Sequence, residues 1–208
     1  MLTFSQVLAF LLTAIVLTAT PGPDNLMVLG VGMSRGRRGG IAFGLGCALG
    51  CLSHTAMAVV GVSALVAASP VAFTLLKFSG GAYLVWMGVQ ALRHAGAARV
   101  DADRGQPQSL RRLFAKGLVA NAINPKVVLF FLAFLPQFVD VSRGNVQWQL
   151  GLLGVLFTAQ AAVLFGLLGL FSGSVGVWLN RRPSAGQWLD RLAGVVFVGL
   201  GLRMVLTR

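Results

Sequence analysis

Long apolar runs separated by short polar stretches dominate the chain, and their length predicts helices rather than strands. A helix that spans a membrane needs about 20 consecutive, mostly apolar residues. Six segments meet this requirement, so the pattern predicts an all-α integral membrane protein with six transmembrane helices. We place these spans at about 4–33, 41–68, 71–92, 113–138, 148–179 and 189–206.

Two of the six segments contain proline near their middle. The first holds a break motif, "PGPDN", formed by Pro21, Gly22, Pro23, Asp24 and Asn25, and the fourth holds "NPK", formed by Asn124, Pro125 and Lys126. Proline removes a backbone donor and clashes with the carbonyl one turn earlier, so both helices are predicted to unwind locally. The freed backbone groups need partners that lipid does not offer. We therefore expect broken helices 1 and 4, with both breaks buried in protein or lining a wet cavity near the membrane midplane.

The two halves of the chain resemble each other, which predicts an internal repeat. Besides the two proline motifs, "KFSGGAYLVWMG" in the third segment matches "DRLAGVVFVGLG" in the sixth, with Gly80 over Gly194. We divide the chain into repeat one (about 1–92), a cytoplasmic loop (about 93–112) and repeat two (about 113–208). Three spans per repeat place the second repeat upside down relative to the first. Two inverted three-helix repeats are an architecture of secondary transporters.

Composition supports a single membrane domain over residues 1–208. The chain is 56% hydrophobic and 11% charged, against about 25% charged in soluble domains, and its mean hydropathy is +0.81. The net charge of +12 would suit nucleic acid in a soluble protein, but here the basic residues lie mostly in loops between apolar runs. Loops of this kind face the cytoplasm. The three basic loops therefore predict that both termini lie outside the cytoplasm, and nucleic acid is not an expected partner.

The cysteines and the N-terminus change this interpretation little. Cys47 and Cys51 are four residues apart in one apolar segment, a spacing that suits buried packing and suits a disulfide poorly. A metal site there is the weaker alternative, because no carboxylate or second histidine is near in sequence. The N-terminal run lacks the basic n-region of a signal peptide, so we interpret it as a retained first helix.

Charged residues at mid-depth point to function. Asp24 and Lys126 each cost about 2.5–3.5 kcal/mol at the centre of a membrane helix on insertion scales. One interpretation is an ion pair between them that only holds the halves together. The other is a binding site in which Asp24 meets a cationic group, a substrate amine or a proton, and Lys126 meets an anionic one. A zwitterionic amino acid offers both partners.

Four further polar residues are candidates for substrate binding or coupling. His54 and Gln160 occupy roughly matching places in the second and fifth segments. A histidine changes charge near neutral pH and could carry a coupling proton, or it could bond to a neighbouring helix. Gln160 is typical of interhelical bonding. Asn25 and Asn124 flank the breaks, and bonding to the freed backbone is their favoured role over direct ligation.

The quoted motifs identify the chain as similar to the LysE/RhtB amino-acid exporters. The resemblance rests on "TPGPDNLMVLGVGMSRGRRGGIAFGLGCALG", "SGGAYLVWMGVQALR" and "NAINPKVVLFFLAFLPQFV", and more loosely on "LDRLAGVVFVGLGLRM". It implies an inner-membrane secondary exporter of amino acids or close analogues, driven by the proton motive force, with six helices. Dimers are also a family expectation, and no cofactor is expected.

Other classes fit the sequence less well. A metal-ion or other small-cation exporter on the same plan is the alternative, but it would need several intramembrane His, Asp or Glu residues. A thiol–disulfide carrier would need cysteines where Asp24 and Lys126 stand. An enzyme is not expected either, because the adjacent Ser53 and His54 point apart on a helix and cannot form a nucleophile–base pair.

Overall fold

The described part of the chain is helical throughout. The computed structural model describes residues 2–20, 22–95 and 108–206. Within these ranges the chain forms helices joined by short turns, with no β-strand. The predicted all-α class is therefore confirmed. Pro21 lies outside the described residues.

Eight α-helices lie in these ranges. They are α1 (Phe4–Ala19), α2 (Pro23–Ala68), α3 (Pro70–Arg93), α4 (Leu110–Ala122), α5 (Pro125–Phe134), α6 (Val146–Leu170), α7 (Ser172–Arg181) and α8 (Pro183–Leu206). Polar residues cap several of the starts. Thr3 accepts a hydrogen bond from the backbone N–H of Gln6 at 3.2 Å, and Ser109 accepts one from that of Arg112 at 3.3 Å, which satisfies donors that a helix start leaves free.

Membrane-spanning length is reached by three of the described helices. Pro23–Ala68, Val71–Arg93 and Val146–Leu170 are long and apolar enough to cross a membrane. Phe4–Ala19 is apolar but shorter, at 16 residues. Helices α4 and α5, which share the fourth predicted segment, have only 13 and 10 residues. The membrane class is supported, and the count of six spans stays a prediction.

The predicted boundary between the first two segments needs correction. We expected a basic loop at 34–40, yet α2 runs through it and only Gly36 leaves the helical conformation, with φ 75° and ψ 172°. This backbone region is accessible essentially to glycine alone. A Cβ on Gly40 would lie 2.9 Å from the Gly32 Cα, although eight helical residues span about 12 Å. The helix therefore folds back on itself at Gly36, and Arg35, Arg37 and Arg38 lie around this reversal rather than in an extended loop.

Other boundaries shift for local reasons. The fifth predicted segment divides at Phe171 into α6 and α7, and the sixth helix begins at Pro183 instead of 189. A proline is well tolerated at the first helical position because its missing donor is not needed there. The predicted loop ends earlier than expected, because α4 begins at Leu110 and includes Arg111, Arg112 and Lys116.

Close helix contacts centre on glycine, as the small-residue spacing in the second segment predicts. Helix α2 packs mainly against α4 and α6. A Cβ on Gly44 would lie 2.8 Å from the carbonyl oxygen of Phe165, and one on Gly50 would lie 2.8 Å from the Asn121 side chain. Any larger residue would push these helices apart, so the glycines allow α2 to pack closely against α6 and α4.

Helices α3 and α8 pack against each other through a second glycine seam. A Cβ on Gly88 would lie 2.6 Å from the carbonyl oxygen of Gly194, and one on Gly201 would lie 2.6 Å from that of Gly81. The Cβ on Gly88 would also lie 2.7 Å from the Val198 Cγ2 atom, and the Cβ on Gly201 would lie 2.7 Å from the Val85 Cγ2 atom. The two helices therefore run antiparallel, and each makes the same contacts to the other.

Phenylalanine side chains fill the core between α1, α5 and α6. The rings of Phe130 and Phe134 stack with centroids 4.4 Å apart, and Phe131 meets Phe157 edge-on at 4.8 Å. Phe10 joins them from α1, 5.8 Å from Phe134. All five rings are buried. Stacked and edge-on pairs add to the burial of apolar area, so this cluster gives α5 a rigid support.

A hydrogen-bonded turn connects α5 to α6. Its backbone forms two 3₁₀ turns, Leu135–Phe138 and Val141–Arg143. The Ser142 hydroxyl donates to Asp140 at 2.5 Å, and the Ser142 backbone N–H and Arg143 Nε add bonds of 3.0 and 2.8 Å. The hydrogen bond from Ser142 and the charge of Arg143 hold the pKa of Asp140 below its usual range.

Candidate functional site

Two helix interruptions frame the site. Helix α1 ends at Ala19 and α2 begins at Pro23; α4 ends at Ala122 and α5 begins at Pro125. A proline at the first position of a helix lacks only a donor that would be unsatisfied there anyway. The sequence therefore stops one helix and starts another at both places.

A buried carboxylate bridges the two interruptions. Asp24 lies in the first turn of α2 and is 6% exposed. Its Oδ2 accepts a hydrogen bond from Asn121 Nδ2 at 2.7 Å, and its Oδ1 accepts one from Asn124 Nδ2 at 3.0 Å. Both amides come from the second half of the chain. Hydrogen bonds to a charged group contribute roughly twice as much as neutral ones, so these two bonds join the halves of the chain at this carboxylate.

The backbone adds favourable electrostatics to this carboxylate. Asp24 stands at the N-terminus of α2, and Asn124, which binds it, directly precedes the N-terminus of α5. A helix N-terminus carries about half a positive charge on its free N–H groups. Two such ends therefore stabilise an anion between them, whether it is the Asp24 carboxylate or an anionic group brought in by a ligand.

The first interruption is bound by two predicted site residues. Asn25 Nδ2 donates to the backbone oxygen of Thr18 at 2.8 Å, and Gln160 Nε2 donates to the Thr18 hydroxyl at 2.9 Å. The first bond confirms the favoured role of Asn25, and the second confirms that Gln160 bonds between helices. The Gln160 Oε1 atom is buried with no hydrogen-bond partner among the described residues.

His54 binds the second interruption. Its Nε2 lies 3.0 Å from the backbone oxygen of Asn121, and the side chain is fully buried. A carbonyl oxygen can only accept, so Nε2 carries the hydrogen. Nδ1 has no hydrogen-bond partner in the described part of the chain, and the ring packs against Phe131 with centroids 5.6 Å apart. His54 therefore bonds to a neighbouring helix, one of its two predicted roles, and its coupling role stays a prediction.

Asn121 is a site residue that the sequence interpretation missed. It is 1% exposed, and both polar atoms of its side chain have a partner, because its Oδ1 also lies 3.5 Å from the Cys51 thiol. The Asn124 side-chain amide donates to the Asp24 carboxylate, a contact that the sequence interpretation did not predict, and the expected bond to the freed backbone stays a prediction. A signal for Asn121 existed: it lies three residues before Asn124, a spacing that places two side chains on one side of a helical turn.

The cysteines agree with the packing interpretation. Cys47 and Cys51 are both free and buried. The described residues hold no group of three or more His, Cys, Asp or Glu side chains placed to bind a metal ion. Nothing here favours a metal site over buried packing.

A small cavity adjoins the carboxylate. Its volume is about 50 Å³, room for roughly three or four water molecules. Polar walls come from both interruptions, and apolar walls come from Leu17, Val127, Phe130, Phe157 and Phe165. The site thus combines one buried anion, amide groups and an apolar wall, which is the chemistry for holding a small molecule with a cationic group and an apolar part.

Two predicted site residues stay without a structural test. Helix α5 begins at Pro125, but the side chains of Pro125 and Lys126 lie outside the described part of the chain. The choice between an Asp24–Lys126 ion pair and separate binding roles therefore stays open. Gly22 is the N-cap residue of α2, with extended backbone angles.

Comparison with known proteins places this site in a family context. The family model described as LysE type translocator matches residues 15–208. The homoserine/homoserine lactone efflux protein of Salmonella typhimurium is 30% identical, over 100% of this chain and 99% of its own length. The leucine efflux protein of Enterobacter sp. is 28% identical, over 94% and 92%. A membrane protein of Vibrio cholerae is 35% identical over 94% of each chain.

No solved structure matches the chain. The family match covers both interruptions, the Asp24 carboxylate and the two asparagines that bind it, and the resemblance noted from the sequence motifs is confirmed. This membrane transport protein belongs to the LysE-type translocator family.

Proposed function

We propose that this protein exports neutral amino acids or close analogues across the bacterial inner membrane by proton-coupled alternating access. The exporter has six spans in two inverted repeats, with the basic loops in the cytoplasm and both termini outside. The substrate site lies at the two interruptions. Pairing into dimers is a further expectation from the family.

The buried Asp24 carboxylate carries this proposal. A membrane protein gains little stability from a buried charge, because desolvation offsets the attraction of its partners. Asp24 is nevertheless held at the meeting point of two helix interruptions by Asn121 and Asn124. Interrupted helices whose N-termini meet near the midplane are a recurrent substrate site in secondary transporters.

The glycine seam between α3 and α8 supports the inverted repeat. If Gly81 is exchanged with Gly194 and Gly88 with Gly201, the same set of close contacts is obtained. A two-fold axis between the helices has this consequence. This register matches Gly81 with Gly194, one residue away from the match of Gly80 that the motif comparison predicts.

Polar contacts at the interruptions support the same symmetry. His54 lies in the first half and binds the interruption of the second half, at Asn121. Gln160 lies in the second half and binds the interruption of the first, at Thr18. Rocking of one repeat against the other would therefore shift both interruptions together, as alternating access around a central site requires.

Substrate chemistry follows from the groups at the cavity. The Asp24 carboxylate would bind the substrate ammonium group. The N-termini of α2 and α5, with Lys126, would bind its carboxylate, and the phenylalanine wall would take its side chain. Two of the relatives are named for leucine efflux and for homoserine efflux, which agrees with a neutral substrate. The present cavity is too small, so the repeats must separate to admit it.

Proton coupling follows from competition for one carboxylate. Asp24 can hold either an ammonium group or a proton. If the protein can change its orientation only when one of the two is bound, it exchanges substrate on one side of the membrane for a proton on the other. The substrate would bind from the cytoplasm and leave outside, and a proton would then return on Asp24. His54 is the other candidate carrier, but its bond to the Asn121 carbonyl favours a positioning role.

A metal-ion or other small-cation exporter has less support. Such a site needs several ligands around the cation. The two side chains that meet Asp24, those of Asn121 and Asn124, turn amide N–H groups toward it, and an N–H donor cannot serve as a ligand to a metal ion.

Export from intact cells tests the proposal. Cells loaded with amino acids as dipeptides would express the wild-type protein, Asp24→Asn, or no exporter. We expect one or a few neutral amino acids to leave faster with the wild-type protein and at background rate with Asp24→Asn. Asp140→Asn is the matched control, because it removes one carboxylate from the α5–α6 turn and should leave export unchanged.

Two outcomes would contradict the proposal. Export by Asp24→Asn at the wild-type rate and equal membrane abundance would reduce Asp24 to a structural role. If no amino acid responded to the wild-type protein while a panel of small cations did, the substrate class would be wrong.

A further inference from the structure

We propose that the two grooves beside α4 form a binding site for an acidic phospholipid, with its phosphate at their basic end and its acyl chains along them. The first groove lies between α4 and the part of α2 that precedes Gly36. It has a volume of about 860 Å³, and its apolar walls include Leu26, Met27, Val31, Val119 and Ile123.

The second groove lies on the other side of α4. It has a volume of about 520 Å³ and is formed with the part of α2 that follows Gly36. Its apolar walls include Ile41, Leu45, Leu110 and Phe114. Both grooves leave large apolar side chains exposed. Val119 in the first is 54% exposed, and Leu110 in the second is 48% exposed.

Charge is confined to one end of both grooves. Arg112 and Lys116 line the first, and Arg38 and Arg111 line the second. Arg111 and Arg112 lie in the first turn of α4, and Lys116 lies one turn further on. Arg38 precedes Gly39, where a Cβ would lie 3.4 Å from Leu113 of α4. Among the described residues, none that lines either groove is acidic. Basic pockets between membrane helices bind acidic lipid headgroups, so the charge favours phosphatidylglycerol or cardiolipin over a zwitterionic lipid.

The length of the first groove fits one lipid leaflet. From Arg112 to Ile123 the helix rises about 17 Å, at 1.5 Å per residue. One leaflet contributes about half of the roughly 30 Å hydrocarbon core. A phosphate on Arg112 and Lys116 therefore lets an acyl chain run along the groove to the level of Ile123, beside the second interruption.

A second copy of the chain fits this surface less well. In a dimer with its two-fold axis along the membrane normal, the same patch of each chain would meet. The basic end of one chain would then face the basic end of the other. Repulsion between these like charges opposes such an interface. An anionic headgroup at the basic end is instead attracted.

Native mass spectrometry of the purified full-length protein tests the site. The protein would be released from mixed micelles that hold equal amounts of phosphatidylglycerol and phosphatidylcholine, and the bound lipids counted. We expect preferential retention of phosphatidylglycerol. Removing two groove charges in Arg112→Gln/Lys116→Gln should lower that preference about 30-fold.

Two variants keep the result interpretable. Arg181→Gln/Arg182→Gln removes two exposed charges at the end of α7 and should leave the preference unchanged. Val119→Trp fills the chain-binding part of the first groove without changing charge, and it should reduce retention of the lipid.

Three results would overturn the inference. One is equal retention of both lipids by the wild-type protein. Another is an equal loss of preference in the Arg181→Gln/Arg182→Gln control, which would indicate general surface charge. The third is unchanged lipid retention in Val119→Trp together with a change from dimer to monomer, which would assign the groove to a second copy.

Discussion

Replacing Asn121 by alanine removes one of the two amides that hold the Asp24 carboxylate, at 2.7 Å. The substitution leaves the backbone carbonyl that binds His54 in place, so it isolates the side-chain bond. A hydrogen bond to a charged group contributes about 1.5–3 kcal/mol. Each 1.4 kcal/mol is a factor of ten, so a transport cycle that needs a positioned Asp24 should slow about 10- to 140-fold.

Export of a responding amino acid from dipeptide-loaded cells measures this effect, with membrane abundance followed on the same samples. Cys51→Ala is the matched control, because it removes a neighbour that meets Asn121 at 3.5 Å through a thiol, a weak donor. We expect the control to export within a few-fold of the wild-type protein. Asn121→Ala transport within twofold of wild type would refute the idea that these amides position Asp24.

The remaining predictions concern stability. Gly36→Ala should lower the free energy of unfolding by about 1–3 kcal/mol through backbone strain. Its control is Gly61→Ala, in a helix with open space around it, which should be neutral or stabilising. Thermal unfolding in detergent compares the two variants. Gly88→Ala should cost about 1–3 kcal/mol by overpacking the α3–α8 seam, and Gly199→Ala, which meets nothing within 4 Å, is its control in the same assay. The lowered pKa of Asp140 stabilises the fold above its unfolded value of about 4, so the stability difference between wild type and Asp140→Asn should vanish as pH falls through the lower, folded value.

The helix interruptions and Gly36 show what local chemistry predicts. Pro23 and Pro125 act through covalent geometry within one turn of the chain, so their effect is readable from a few residues. We expected a loop at 34–40 because its basic residues are typical of one, but the chain reverses at the single residue Gly36. The positive φ that lets a single glycine reverse α2 depends on how its two parts pack at Gly32 and Gly40, and that packing has no local signature.

The site itself was only half readable from the sequence. Asp24 was predictable because a charge in an apolar run is costly wherever it lies. The partners of Asp24 were not, because Asn121 lies 97 residues away and Asn124 lies 100 residues away. Neither asparagine shows a periodicity or motif that says which side chain it will meet.

The 100-residue separation of Asp24 and Asn124 has a consequence for how the protein is made. Ribosomes add about 5–20 residues per second, so the first half reaches the membrane about 5–20 seconds before the amides that bind its carboxylate exist. An aspartate without its partners is costly in lipid during that interval. The site is completed only when the second half arrives, as one of the last steps of biogenesis.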